Sequence, residues 1–447
     1  MRVVLVFLCC VQSLFGYLDP STGSLLLSSV VAVFVSAVFM LKSAFYKVYG
    51  LISHLYGGGG GLKANKNHGL VFYSEGRQYY DVFAPILETL DSWDYPYIFL
   101  TSDSADPALT HHKQSKFIGT GNRAYAYLNG LSADVVVMTT PGLDVLQIKR
   151  ARGVGHYCHI VHSLASPNYR VFGLDYYDSV LVNSVMQEEF IRQVERAHGV
   201  KRKEIFVTGS TYCDALCARK ERIVAQEGQE IFASREGRKV VLLSPSWGKE
   251  GLLSKFGMRL IEAVLSAGHL LIIRPHPQSL ISESLLIEDL RARTEGMEAV
   301  RWDIGTPNVY AMSQSDVMIS DFSGIIFDYL CLYEKPVLTI DFDFDHAGYD
   351  SADIGELWEF GIFGEIGKRV REEDFGRLGE IIAKLTDGGG NQEAISRVRE
   401  LLWTHARDSG VQSARAILRL REKVLGERLG RLKGYSDEIL KIREVLA

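Results

Sequence analysis

From Leu70 onward the chain alternates between two patterns. Short apolar runs give way to longer stretches in which apolar residues recur every three or four positions. The runs at Leu70–Tyr73, Tyr97–Thr101, Asp134–Met138, Tyr157–Val161 and Ser179–Val182 predict strands, and Tyr79–Leu90 and Met186–His198 predict helices between them. A second series follows. Its strands are predicted at Val240–Leu243, Leu270–Ile273, Val317–Ile319 and Val337–Ile340, and its helices at Phe256–Ala267 and Ile325–Tyr333. Strands that are apolar throughout and separated by helices belong to parallel sheets covered on both faces. Two such series in tandem predict an α/β chain of two Rossmann-like domains facing across a cleft. The first is expected over residues 68–225 and the second over 226–390, with the boundary in the polar, helix-like stretch between Leu216 and Arg238. Gly388–Gly390 closes the second series, and residues 391–447 read as an Arg-rich helical tail with solvated amphipathic faces. There is no internal repeat at a period of about 20–50 residues.

The first 67 residues have another character. Residues 1–16 form a signal-like apolar segment, with Val3–Phe15 following Arg2. Residues 20–41 carry no charge and span roughly 33 Å as a helix, enough for a bilayer core, so they predict a transmembrane helix. An uncleaved helical hairpin turning at Asp19–Gly23 is the other arrangement this pattern allows. Residues 42–67 form a juxtamembrane segment, and the five glycines Gly57–Gly61 predict a flexible tether. Lys42, Lys47, Lys63 and Lys66 follow the apolar stretch, and only Asp19 precedes it closely. The positive-inside rule then expects a single-pass protein of the inner membrane, with its domains in the cytoplasm.

Composition narrows the function. With 49 Lys plus Arg against 54 Asp plus Glu in 447 residues, the net charge is −5, which argues against a dedicated nucleic-acid binder. A chain that is 47% hydrophobic and 23% charged is not disordered. Six cysteines are too few for a disulfide scaffold, and none falls at zinc-ligand spacing.

Ligands of parallel α/β sheets bind beyond the carboxyl ends of the strands, and three strand ends here carry unusual polar residues. Val317-Met318-Ile319 runs into Ser320-Asp321-Phe322-Ser323-Gly324, which opens directly into a helix containing Asp328. A helix start presents unpaired N–H groups and a partial positive charge, so this turn is a candidate phosphate site; an ordinary helix cap fits the same residues. Arg274-Pro275-His276-Pro277 follows a second strand. Its prolines stiffen the turn, its Arg can fork onto phosphate, and its His can donate to a departing oxygen. His156, His159 and His162 bracket a third strand. His162 stands at its carboxyl end as a candidate general base, while His156 lies about 20 Å away along the strand, too far for a shared metal. Asp341, Asp343 and Asp345 could share one face and suit a hard cation, although such a run also fits a loop leaving a strand.

Taken together these segments resemble the CDP-glycerol glycerophosphotransferases, the teichoic-acid primases and polymerases, from about His156 to about Leu420. Arg274-Pro275-His276-Pro277 is similar to the family's Arg-x-His-Pro. Ser320–Gly324 with Asp328-Tyr329 is similar to its Asp-Tyr-Ser-Ser stretch and following Phe-Asp. Glu334-Lys335-Pro336, the Asp345 to Tyr349 spacing, Gly209-Ser210 with Asp214, Pro245-Ser246-Trp247, and Asp408-Ser409-Gly410 with Ser413 and Arg415 also fit. The chain departs from the family in having Val161-His162-Ser163 where Trp-His-Gly is usual, and Gly324 in place of a second Ser. The resemblance implies a GT-B fold and transfer of a glycerol-phosphate, or related polyol-phosphate, from a CDP-alcohol donor to a hydroxyl of a membrane-associated acceptor. It implies His162 and His276 as catalytic residues. Arg274, Ser320, Asp321, Ser323, Gly324, Asp328, Pro245 and Ser246 would hold the donor, with no cofactor or metal required. A nucleotide-sugar glycosyltransferase and an inactive scaffold of the same fold are the other readings these residues allow.

Overall fold

Strands that are apolar on both faces need cover on both, and each sheet of this protein is sandwiched between helices. The computed structural model describes residues 67–169, 172–227, 230–341, 350–355, 357–387 and 392–446. The first sheet holds β1 (Leu70–Ser74), β2 (Ile98–Thr101), β3 (Ser115–Phe117), β4 (Ser132–Met138), β5 (Gly153–Ile160), β6 (Ser179–Val182) and β7 (Glu204–Val207), in the order β3-β2-β1-β4-β5-β6-β7. The second holds β8 (Val240–Leu243), β9 (Leu270–Ile273), β10 (Val300–Trp302), β11 (Val317–Ser320), β12 (Val337–Ile340) and β13 (Gly367–Val370), in the order β10-β9-β8-β11-β12-β13. The strand pairs are parallel. In each sheet the winding reverses once, between β1 and β4 and between β8 and β11. Those reversals open crevices at the carboxyl edge.

The two lobes share one compact unit, Asn67–Ala447. The helix Thr211–Glu227 bridges them: Cys213, Leu216 and Cys217 are buried in the second lobe's core, and the Thr211 hydroxyl donates to the Val82 carbonyl of the first. The chain later crosses back. Gln392–Leu402 buries Ile395, Val398 and Leu402 on the second lobe, and Ser409–Leu446 buries Ala414, Ile417 and Leu420 on the first. Asp214 clasps this return, accepting from Trp403 Nε1 (3.0 Å) and from the Arg407 and Ser409 amides (both 2.8 Å). Gly209 is obligatory there. Its φ is +83°, and a Cβ would lie 1.9 Å from the Thr404 carbonyl oxygen.

A loop of the first lobe also reaches across. Leu164, four residues beyond β5, is fully buried in the second lobe's core with Met318, Ile326 and Phe327. The Ser166 amide donates to Glu359 (2.6 Å), and Asn168 exchanges two hydrogen bonds with Ser351 (both 2.9 Å).

This architecture is GT-B-like, as expected, but the expected fold class is corrected in one part. Among the described residues no helix is long and apolar enough to cross a membrane. The longest, Ser409–Leu446, carries charged residues along its length. The N-terminal transmembrane helix placed at 20–41, the signal-like segment 1–16, the tether and the lysines used for orientation all lie outside the described residues.

Truncating Leu164 should open a cavity that the lobe interface cannot refill. Leu164→Ala is expected to cost about 2–5 kcal/mol in urea unfolding, whereas Ile281→Ala, at a side chain 75% exposed, should stay within about 0.5 kcal/mol of the wild type.

Candidate active site

The carboxyl ends of β9, β8 and β11 stand in one row, because Leu243 pairs with both Ile273 and Ile319. Three predicted segments therefore emerge side by side: Arg274–Pro277, Ser244–Trp247 and Ser320–Gly324.

Asp321 organises this edge. Its buried carboxylate accepts from the amides of Ser246 (3.0 Å), Leu252 (3.3 Å) and Ser323 (3.1 Å). Burial raises its pKa above the ordinary carboxylate value, and these hydrogen bonds oppose the rise. Asp321 is thus a brace rather than a ligand contact, and so is fully buried Ser320, whose hydroxyl donates to the Ser244 carbonyl (2.6 Å). The Ser323 amide is spent on Asp321. The amides of Gly324 and Ile325, which start the helix Ile325–Tyr333, make no hydrogen bond among the described residues. They and the half-buried Ser323 side chain form the open end of the helix dipole.

The first lobe meets the turn there. A Cβ on Gly324 would lie 3.0 Å from Ser163 Oγ, so the glycine allows the neighbour of His162 to approach the helix start. The carbonyl of Ser163 accepts from Asn183 Nδ2 (2.6 Å) and Gln187 Nε2 (2.7 Å), which fixes the loop. β5 ends at Ile160, one residue earlier than its apolar run predicts, so His162 lies in the loop beyond the strand. Both rings pack on Tyr169, at 5.5 and 6.4 Å between centroids, and Tyr79 presents its edge to His162 at 5.1 Å. Among the described residues the His162 ring has no carboxylate partner. Burial alone pushes its pKa down to about 4, so it is a neutral proton acceptor at physiological pH.

On the other flank, Trp247 lies 6.3 Å from the His276 ring. His276 Nδ1 accepts from the Gln278 amide (3.1 Å), which directs the other nitrogen, Nε2, to carry the proton in the neutral ring. Burial lowers its pKa, against the attraction of Glu283. Pro245 is buried beneath this loop, and Ser246 contributes through its amide bond to Asp321.

Two predicted residues sit differently from the sequence expectation. Arg274 is not a free guanidinium: its Nη1 pairs with Asp303 (2.5 Å) and its Nη2 donates to the Thr306 carbonyl (2.8 Å). Asp328 is one turn into the helix, buried beside Tyr212 and Cys213 of the bridging helix, with no hydrogen bond among the described residues. Desolvation pushes it up to about 7. Of the remaining sequence candidates, Asp341 stands beside the turn, lining a small hollow with Asp321 and Phe322, and the others are engaged elsewhere or not described. His156 Nε2 shares a hydrogen bond with Ser179 Oγ (2.8 Å). Asp341 is paired with Arg369 (2.7 Å) and Arg371 (3.8 Å), while Asp343, Asp345 and Tyr349 lie outside the described residues. Sequence reasoning missed Tyr79, which ends the short 3₁₀ helix Arg77–Tyr79 and starts a predicted helix, and Tyr169, which comes from a loop without a motif.

Asp328 gives a signed expectation. Its folded pKa lies above that of an exposed carboxyl, so the folded chain holds a proton that the unfolded chain has released. Stability therefore falls as pH rises from about 4 towards about 7, and Asp328→Asn should flatten that fall in denaturant midpoints measured across the window. NMR of the His162 ring should show a neutral imidazole down to about pH 5, well below the ordinary histidine midpoint.

Comparison with known proteins follows the same lines. No curated protein sequence matches the chain. Among solved structures it is similar to the wall teichoic acid polymerase TagF. A histidine-to-asparagine variant soaked with CDPG is 18% identical with a TM-score of 0.55, and a histidine-to-alanine variant is 16% identical with a TM-score of 0.55. Each match covers 89% of this chain and 99% of the other. At these identities the likeness is one of fold. The profile of the family described as CDP-Glycerol:Poly(glycerophosphate) glycerophosphotransferase matches residues 63–373. With most of its length so matched, the chain belongs to this family and is a CDP-glycerol glycerophosphotransferase-like enzyme.

Proposed function

We propose that the protein transfers glycerol-phosphate from CDP-glycerol to a hydroxyl of a glycopolymer acceptor and releases CMP. The acceptor oxygen attacks the phosphorus that bears glycerol. The bond from that phosphorus to the bridging oxygen breaks, and CMP leaves with the bridging oxygen. The acceptor proton passes to His162. A neutral imidazole suits that role, and the approaching diphosphate would raise its basicity as the proton arrives.

The observation that carries this reading is the start of the Ile325–Tyr333 helix: two unengaged amides, with Ser163 against Gly324 on one side and the Asp321–Ser246 brace on the other. Such a start binds a diphosphate through N–H groups that need no reorganisation during the reaction. Ser323 would add a hydroxyl donor, and the Nε2–H of His276 would steady the diphosphate or protonate the departing oxygen. Arg274 acts by position: its pairing with Asp303 and Thr306 holds the Pro275–Pro277 turn that aims His276. Phosphoryl transfer depends mainly on positioning and electrostatic stabilisation.

The test is CMP release by purified protein over a panel of CDP-glycerol, CDP-ribitol, UDP-sugars and GDP-sugars with a glycopolymer acceptor. CDP-glycerol should be turned over, and His162→Ala and His276→Ala should each lower the rate by about 10²–10⁴-fold while folding normally. Wild-type rates in either variant, or turnover of a nucleotide sugar alone, would refute the proposal.

A further inference from the structure

A histidine that takes a proton is ordinarily aimed by a hydrogen bond on its other ring nitrogen. His162 is aimed differently. Among the described residues its Nδ1 has no hydrogen-bond partner, and the ring is held by two other rings. Tyr79 presents its edge at 5.1 Å and 69°, and Tyr169 lies more nearly parallel, at 6.4 Å and 29°. Ring contacts of this kind are weak one by one. The direction of the imidazole therefore depends on how firmly its neighbours are themselves held.

Tyr169 is held from three sides. Its hydroxyl shares a hydrogen bond with Nε2 of His159 (3.0 Å), a fully buried residue of β5 whose own ring packs on Tyr177 at 5.0 Å. Gly173 backs the ring: a Cβ there would lie 2.7 Å from Cδ2 of Tyr169, so a side chain at that position would push the ring away. The third hold comes from the other lobe. The Tyr169 carbonyl accepts from the Asp350 amide (2.9 Å), beside the paired bonds of Asn168 and Ser351. Asp350–Asp353 lies between β12 and the helix Trp358–Ile366, which buries Ile362, Phe363 and Ile366 in the second lobe's core. The side chain of Tyr169 is thus anchored in the first lobe, and its backbone is tied to chain that belongs to the second.

We propose that Tyr169 is a positioning residue for the transfer: it ties the orientation of the His162 ring to the seam between the lobes, so that the base is aimed when residues 164–169 are seated on Asp350–Asp353. The same ring is part of the wall that keeps water from the imidazole, and burial is what holds His162 down at about 4. The proposal rests on the transfer reading above, but one of its readouts needs no turnover.

The experiment uses the full-length chain, checks folding by urea unfolding, and follows the His162 ring by nitrogen NMR alongside the kinetics. Tyr169→Ala opens the wall to water. The His162 midpoint should rise by about one pH unit or more, and the acid limb of the kcat/KM profile should move up with it. In the same variant kcat should fall about tenfold or more, with KM for CDP-glycerol within about twofold of the wild type. Tyr169→Phe keeps the ring, and should bring kcat back to within about threefold and the midpoint to within about half a unit of the wild type. Asn168→Ala loosens the seam and keeps both rings, and should lower kcat about threefold or more at unchanged KM. An unmoved His162 midpoint in folded Tyr169→Ala, a Tyr169→Phe variant as impaired as Tyr169→Ala, or wild-type kcat in Asn168→Ala would overturn the proposal. If Tyr169→Ala does not fold, Asn168→Ala decides alone. A wild-type chain that released no CMP from CDP-glycerol would overturn the transfer reading instead, and the NMR midpoints would still show whether Tyr169 governs the His162 ring.

Discussion

One apolar side chain ties the two lobes together at the candidate site. Leu164 leaves the first sheet and is buried in the core of the second lobe, among residues that support the Ile325–Tyr333 helix. Burying a leucine contributes about 1.5–3 kcal/mol, and here that energy registers one lobe against the other. His162 and Ser163 precede Leu164, so they are delivered to the helix start. Ser166, Asn168 and Tyr169 follow it and bond to residues 350–359. A loop fixed at one side only would leave the imaginable partners of His162 to chance; this one is fixed from both.

Electrostatics at the edge follows a division of labour. Asp321 draws amides from three places to one carboxylate and leaves the next two amides unengaged. Arg274 is neutralised by Asp303, so positive potential at this edge comes from backbone dipoles rather than from a loose cation. A fixed dipole loses no side-chain entropy when a ligand arrives, and a long flexible cation does.

The sequence was most legible where burial was most complete. Every strand predicted from its apolar run is present, and all of them lie inside their sheets; β3, β7, β10 and β13 were not predicted, and each is an edge strand. Edge strands keep one side open to water, so Ser115–Phe117 and Gly367–Val370 show no apolar run to detect. Motifs proved easier to find than to interpret. Gly209, Asp214, Ser409 and Gly410 stand out in the sequence, yet they form the clasp where the chain crosses between lobes. The pairing of Arg274 with Asp303 was invisible because the partner follows a different strand.

The return of the chain to the first lobe makes the second lobe, in topology, an insertion held at two nearby crossings. Two covalent connections define an axle, and motion about it can change the angle between the lobes far more readily than it can separate them. Opening wide would also require Leu164 to leave its socket. Rocking of small amplitude about the Asp214 clasp is therefore the motion that this chain topology leaves easiest.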